Sequence, residues 1–207
     1  MERVSWSLGK KANRAELRDF DCCPGCRTES VRHPNGRRTC STEWAHTVQT
    51  HFHEHAIAAT NGRSRSHDQR LLLLRDADVL VGAAIHYSEE GPSDGSGGTF
   101  ERRLDAYAIA LDAQGQKLST GEHASKALLR AVVSDITTRH SPRDTVILTA
   151  LVHPENAPSR KCLERYGWTE EDRQDPYLLY AITLAKAQNA LDVEPGPDLD
   201  AFHEPGA

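Results

Sequence analysis

The stretch VHPENAPSRKCLERYGW, residues 152–168, decides the fold. It starts at the end of an apolar run, passes through Asn156 between two prolines, takes on helical spacing and stops at Gly167-Trp168. Asn near Pro is common in turns. Gly allows the left-handed backbone that ends a helix, and an aromatic side chain after it can pack back into a core. The stretch therefore predicts a strand, a turn and a short helix that runs from Pro158 or Ser159 to Tyr166.

The sequence before and after this stretch predicts a sheet. Apolar runs and period-two alternation indicate strands, and a turn at Asp76–Asp78 joins the first two. Asp144–His153 is apolar enough for a strand of parallel-sheet type. The predicted strands are Leu71–Leu74, Val79–Tyr87, Arg102–Asp112, Asp144–His153 and Tyr177–Leu184.

Helical spacing recurs from Ser41 or Thr42 and again over Gly121–His140. The predicted order is helix, three strands, helix, strand, helix, strand. This order predicts an α/β fold with a mixed central sheet flanked by helices. Three regions follow: a basic, Cys-rich extension at residues 1–40, a folded domain at 41–185, and an acidic, disordered tail at 186–207.

Length and charge limit the class of protein. The 207 residues suit one domain with a small appendage, and a formal net charge of −5 argues against a general nucleic-acid binder. No apolar run approaches the roughly 20 residues of a membrane helix, and no apolar signal segment is present. We therefore expect a cytoplasmic protein without a membrane partner, whose five cysteines are thiols or metal ligands rather than disulfides.

The N-terminal extension holds nine Lys or Arg against five acids. It is expected to be a solvated arm, although contact with nucleic acid or an acidic partner stays open. Its motif CCPGC contains one C-x-x-C pair, Cys23 and Cys26, which could build a structural zinc site together with a more distant Cys and His. The other reading is a loop of free thiols. The additional ligand candidates are Cys40, His46, His51, His53 and His55.

Residues 152–168 resemble the fourth, C-terminal motif region of the GCN5-related N-acetyltransferases (GNAT). In that family an Asn follows a strand, a small residue comes three positions later, and Gly-aromatic closes the helix. Asn156, Ser159 and Gly167-Trp168 occupy these positions here. The strand, loop and helix from Leu104 to Val133 lie where the family binds acetyl-CoA. The element order matches over roughly residues 42–184.

The resemblance implies an enzyme that transfers an acetyl group from acetyl-CoA directly to a primary amine of a small molecule or macromolecule. Splayed parallel strands can pair with the pantetheine arm as with an added strand. The N-terminus of the following helix can hold the pyrophosphate. The residues implied in acetyl-CoA binding are Ala108, Ile109, Leu111, Thr120, Gly121, His123, Ala124, Ser125, Asn156 and Ser159.

The loop before the helix departs from the family's pattern. Only Gly121 matches well, because His123 and Ser125 stand where glycines are usual and Glu122 brings a negative charge near the phosphates. Other hydroxyl or charge donors could compensate, namely Lys117, Ser119 and Thr120 together with Ser125.

The catalytic positions depart as well. Many family members place a Tyr seven residues after the Asn, but this chain has Leu163 there. Tyr166, one turn further on, is a candidate acid or a core residue, and Tyr107 is a second candidate acid. Candidate general bases on or beside the central strands are Glu101, Asp105 and His86.

Two other functions stay open at this point. A non-catalytic, zinc-stabilised binding module on a GNAT-like fold would explain the altered loop. A toxin-like acetyltransferase that acts on charged tRNA would use the basic extension. The sequence also leaves open whether the chain forms a homodimer.

Overall fold

A computed structural model describes residues 4–23, 47–53, 67–90 and 97–194. The strands in these residues form a mixed seven-stranded sheet with the order β1-β2-β3-β4-β5-β7-β6. Their bounds are β1 Val4–Leu8, β2 His67–Asp76, β3 Val79–Ser88, β4 Thr99–Ile109, β5 Thr145–Val152, β6 Thr169–Gln174 and β7 Tyr177–Thr183.

Helices accompany the sheet, and none among the described residues has the length and hydrophobicity that crossing a membrane requires. They are α1 Arg14–Asp19, α2 at residues 47–53, α3 Ala124–Thr137, α4 Ala157–Arg165 and α5 Leu184–Leu191. The predicted strands and the helices α3 and α4 are confirmed, with ends that differ by a few residues. The predicted start of the second helix, at Ser41 or Thr42, lies outside the described residues.

The pairing of β4 with β5 ends before either strand does. The two strands run parallel, and their register extends from Thr99↔Thr145 to Leu104↔Ala150. Strand β4 continues to Ile109 and β5 to Val152. On its other side β5 pairs with β7 antiparallel up to Val152↔Leu178. The parallel ladder is therefore short, and β4 extends five residues beyond its last pair.

Residue contacts divide the chain into two units. The first contains the described N-terminal residues with Arg70–Ile85 and Ala106–Leu128. Its core includes the continuous run Leu71–Leu74, which is buried throughout as expected of an interior strand. Phe20 and Phe52 add an edge-to-face ring contact with centroids 5.7 Å apart.

The second unit contains His86–Asp105 and the described residues from Leu129 onward. Alternate residues of β7 are buried, and β5 buries three consecutive residues at its centre; among the described residues Tyr180 is the largest fully buried side chain. The last helix, α5, buries Ala187 and Leu191 completely. Thr183 caps this helix by accepting a hydrogen bond from the Lys186 N–H.

Four elements were not expected from the sequence. Strand β6 has no apolar alternation because every residue in it is exposed, and only its antiparallel pairing with β7 defines it. Strand β1 and helix α1 lie in the predicted structureless extension. Helix α5 overlaps the predicted disordered tail, which begins at residue 186, so the folded part reaches at least Leu191. Because many residues of α5 are small, its apolar face is difficult to recognise in the sequence.

Candidate functional site

The loop between β4 and α3 belongs to the first unit and is closed by its own backbone. The Leu118 N–H donates to the Glu122 carbonyl, and the Gly121 N–H donates to the Leu118 carbonyl, each at 2.8 Å. Gly121 has φ +83°, a left-handed conformation that glycine adopts without steric cost. A Cβ placed there would meet no protein atom within 4 Å. The loop thus turns tightly and leaves open space at Gly121.

Helix α3 begins directly after this loop. The His123 carbonyl accepts from the Ala127 N–H at 3.1 Å, so His123 stands at the N-cap position. The first N–H groups of a helix have no intrahelical acceptor and carry the positive end of its dipole. Ala124 and Ser125 provide two of them, and the Thr120 and Ser125 hydroxyls lie in the same segment. This arrangement fits an anionic group such as a pyrophosphate.

In the structure, two polar residues of the loop, Ser119 and Glu122, already have partners within the protein. Ser119, a predicted compensating donor, is already engaged, because its N–H donates to an Asp76 carboxylate oxygen at 2.8 Å and its hydroxyl donates to the other oxygen. Glu122 does bring a carboxylate to the loop, and the Lys126 ammonium lies 3.9 Å from it. Lys126 therefore offsets part of the unfavourable charge.

The end of β4 supplies the remaining residues of the predicted acetyl-CoA segment. Ala108 is buried and Ile109 is half-buried. Leu111 is exposed, and its N–H already donates to the Asp21 carbonyl at 2.8 Å. Tyr107 is half-buried, and its hydroxyl donates to the Ser125 carbonyl at 2.7 Å. That hydrogen bond ties β4 to the first turn of α3.

Asn156 and Ser159 lie together in the second unit. Asn156 is the N-cap of α4, and its side-chain oxygen accepts from the Ser159 N–H at 3.2 Å. The cap uses the amide oxygen, whereas the NH₂ group is the part of this side chain that can donate. The predicted pair is thus adjacent in space, with a structural bond between its two members.

The end of α4 confirms the prediction for Gly167 and Trp168. Gly167 has φ +86°. Its N–H donates to the Glu164 carbonyl at 3.1 Å, and the Trp168 N–H donates to the Leu163 carbonyl at 3.2 Å. These two bonds form a Schellman motif, and Trp168 is buried. Tyr166 is also buried, at 8% exposure, where the last turn of α4 ends.

The predicted carboxylate bases occupy different surroundings on β4. Glu101 accepts from the Thr149 hydroxyl at 2.7 Å and from the Arg103 guanidinium at 3.1 Å. Asp105 is exposed and is the first residue after the last β4–β5 pair. Of the two, Asp105 is the more open to a molecule arriving from solvent.

His86 does not fit the predicted role of a base, because its side chain is completely buried. Arg102 donates to His86 Nδ1 at 3.3 Å, and His86 Nε2 therefore carries the proton that it shares with Asp135 at 3.0 Å. Arg102 also donates to His140 Nε2 at 3.2 Å and to the carboxylate of Asp68. This buried polar cluster cannot be predicted from the sequence, because Asp68, His86, Arg102 and Asp135 are far apart in the chain.

The cluster shifts the pKa of its members. Burial raises the pKa of Asp68, but hydrogen bonds from Arg139 and Arg102 outweigh this and lower it to about 2. Burial and the neighbouring Arg102 lower the pKa of His140 to about 4. The opposing effect of Asp144 is weaker, and its carboxylate lies 3.7 Å from His140 Nδ1. His140 is therefore neutral at physiological pH.

The predicted zinc site gains no support. Cys22, which is not one of the predicted ligands, is a free cysteine, and burial and the charge of Asp21 raise the pKa of its thiol to about 12. Cys23 is disulfide-bonded, which corrects the expectation of a thiol or a metal ligand there. The described residues contain no group of three or more His, Cys, Asp or Glu that could hold a metal. The other candidates, Cys26, Cys40, His46 and His55, lie outside these residues.

Comparison with known proteins gives matches in structure only. The PaiA N-acetyltransferase from Thermoplasma acidophilum, in complex with coenzyme A, has a TM-score of 0.58 at 10% identity and covers 87% of this chain and 99% of that chain. The aminoglycoside acetyltransferase AAC(6')-Ib, in complex with coenzyme A and kanamycin, has a TM-score of 0.57 at 16% identity, over 90% of this chain and 98% of that chain.

No protein-family model matches the chain, and no curated protein matches it in sequence. At identities this low, structural similarity establishes the fold and leaves the activity to be argued from the site. The chain has a GNAT-like fold, as the resemblance of residues 152–168 implies.

Proposed function

We propose that this protein is an acetyl-CoA-dependent N-acetyltransferase that acts on a primary amine. The proposal rests on the backbone geometry of the segment that follows the last β4–β5 pair. Strand β4 extends beyond Leu104 and leads into a loop with Gly121 in a left-handed conformation, followed by the N-terminus of α3. An extended strand end suits an amide-bearing arm, and a helix N-terminus suits a pyrophosphate.

Acetyl-CoA, when bound, supplies the activated acetyl thioester. In this proposal the N–H groups of Ala124 and Ser125 and the Thr120 hydroxyl hold the phosphates. The backbone of Ala108 and Ile109 is assigned to the acyl end. Asn156, in the second unit, is proposed as a donor to the pantetheine arm only because the resemblance of residues 152–168 implies it. Asp105 takes the proton from the attacking amine, for which its exposed carboxylate is suited. As the C–S bond breaks, the CoA thiolate leaves and takes a proton from solvent; Tyr107 could supply that proton only by giving up its bond to the Ser125 carbonyl.

The acceptor is proposed to be a small-molecule amine. The solved acetyltransferase AAC(6')-Ib, which has a similar fold, was crystallised with kanamycin and with ribostamycin. The exposed carboxylate of Asp105, the first residue after the last β4–β5 pair, would attract a cationic amine. Polyamines, aminoglycosides and amino acid amides are therefore the first acceptors to screen.

The test is amine-dependent release of free CoA thiol, with the acetylated amine identified by mass spectrometry. Gly121→Ala should weaken acetyl-CoA binding because alanine at φ +83° costs about 1–2 kcal/mol and would disturb the loop. Gly115→Ala is the matched control, since Gly115 also has positive φ, at +73°, and equally open space.

Equal loss of binding in the two variants would show that backbone strain alone, rather than the loop's contact with the ligand, is responsible. Absence of both thiol release and acetylated product across the screen would contradict the proposed activity. The other reading, a non-catalytic zinc-stabilised module, predicts stoichiometric metal in the purified protein and no CoA binding.

A further inference from the structure

The carboxylate of Asp76 holds the β4–α3 loop through two hydrogen bonds to one residue. Asp76 Oδ2 accepts from the Ser119 N–H at 2.8 Å, and Asp76 Oδ1 accepts from the Ser119 hydroxyl. Asp76 is the last residue of β2. Both residues belong to the first unit, but they lie 43 positions apart in the chain. A two-point contact fixes the orientation of the loop as well as its distance.

The turn that presents Asp76 is held in an unfavourable backbone conformation. Ala77 and Asp78 join β2 to β3, and their φ angles are +47° and +68°. Two-residue turns of this type favour Asn-Gly or Gly-Gly, because positive φ is costly for a residue such as alanine. Strained backbone persists where surrounding contacts determine it, and such positions cluster at functional sites.

We propose that Asp76 is a positioning residue for the phosphate-binding loop, an inference that rests on the proposed acetyl-CoA function. By anchoring Ser119, it holds Thr120 and Gly121 in place before α3 and preorganises the loop for the pyrophosphate. If Asp76 acted only through its charge, its removal would have the opposite effect on acetyl-CoA binding. A carboxylate near a pyrophosphate repels it, so removal of the charge would tighten binding if Asp76 did nothing else. The sign of the change therefore separates the two explanations.

The experiment titrates acetyl-CoA and S-acetylpantetheine into the full chain and its variants. Asp76→Ala should weaken acetyl-CoA binding about ten-fold, and Ser119→Ala several-fold, because a charge-assisted pair is lost in the first and one arm in the second. Asp76→Asn keeps one acceptor oxygen, so its acetyl-CoA affinity should lie between those of the wild type and Asp76→Ala. S-acetylpantetheine lacks the pyrophosphate, so its affinity should not change in any of them.

Asp78→Asn is the matched control, since it removes the same charge from an exposed position in the same turn and asparagine tolerates the φ of +68° there. It should leave acetyl-CoA affinity unchanged or slightly improved. Equal or tighter acetyl-CoA binding by Asp76→Ala and Ser119→Ala, or a parallel loss of S-acetylpantetheine affinity, would overturn the positioning role. Failure of the wild-type chain to bind acetyl-CoA would instead overturn the proposed function, and this inference with it.

Discussion

At the scale of single residues, Asn156 combines a structural task with a proposed ligand contact. Its side-chain oxygen caps α4 through the Ser159 N–H, whereas its NH₂ group is the proposed donor to pantetheine. Its position between two prolines, after a strand, predicts a turn residue at this point of the chain. It did not distinguish the cap from the ligand contact, because both use the same side chain.

Substitution can separate these two roles. Asn156→Ser keeps a capping oxygen and removes the amide, so stability should hold while acetyl-CoA affinity falls several-fold. Asn156→Ala should lose affinity to the same degree and about 1 kcal/mol of unfolding free energy in addition. Urea unfolding and calorimetric titration of both variants provide the check. An acetyl-CoA affinity in Asn156→Ser equal to that of the wild type would remove Asn156 from the proposed site.

His140 predicts how stability depends on pH. Its pKa is about 4 in the folded protein and 6.5 in the ordinary reference state, so between these values the unfolded chain binds a proton that the folded chain does not. Stability should therefore fall as pH drops from about 6.5 to 4, by on the order of 2–3 kcal/mol from this group. Asp68, with its pKa of about 2, contributes only at lower pH.

The measurement is urea unfolding of the wild type and of His140→Gln across that pH range. Gln keeps an acceptor for Arg102 but cannot be protonated, so the variant should lose less stability on acidification. The other histidines, including His86 beside Arg102, stay the same in both proteins. Identical pH slopes for the two proteins would mean that His140 is not kept neutral by its surroundings.

At the scale of elements, α5 shows where the sequence was misleading. The residues AKAQNAL looked like the start of a polar tail, because small alanines and amides hide the apolar stripe. In the structure Ala187 and Leu191 are completely buried, and the Gln188 amide donates to the Thr137 hydroxyl at 3.0 Å. The helix therefore belongs to the core of the second unit, and its residues differ from the predicted disordered tail that begins at residue 186.

Leu191→Ala should therefore destabilise the protein by about 2–4 kcal/mol, as truncation of a buried leucine commonly does. Asn189→Ala, at an exposed position of the same helix, should change stability by less than about 0.5 kcal/mol. Chemical unfolding measures both. Comparable small effects would show that α5 contributes no packing energy.

At the scale of the whole molecule, elements with strong periodicity could be predicted and those without it could not. Burial on one or two faces gives an element a regular apolar pattern, which can be recognised in the sequence. This is why the strands β2, β3, β5 and β7 and the amphipathic helix α3 could be predicted. Strand β6 is polar and exposed, so its existence depends on β7 and on no pattern of its own. The turn at Gly167 was predictable because a left-handed helix end favours glycine.

The features of the candidate site also differ in whether the sequence predicts them. Gly121, the start of α3 and Asn156 could be found from local sequence, since each depends on neighbours in the chain. The Asp76–Ser119 anchor and the burial of His86 depend on residues that are 43 and 49 positions apart, respectively, from their partners. Such contacts leave no mark on a single sequence. The anchor of the loop and the buried surroundings of His86 are therefore the features that required the structure.

The most direct measurement is a calorimetric titration of acetyl-CoA into the wild-type chain, with S-acetylpantetheine as the comparison ligand. The proposed function predicts saturable binding of acetyl-CoA near the micromolar range, weaker binding of the ligand without the pyrophosphate, and a loss of affinity in Gly121→Ala that Gly115→Ala does not share. Absence of binding at millimolar acetyl-CoA by a protein that unfolds cooperatively would contradict the account: the fold would then be GNAT-like without the acetyl-CoA site.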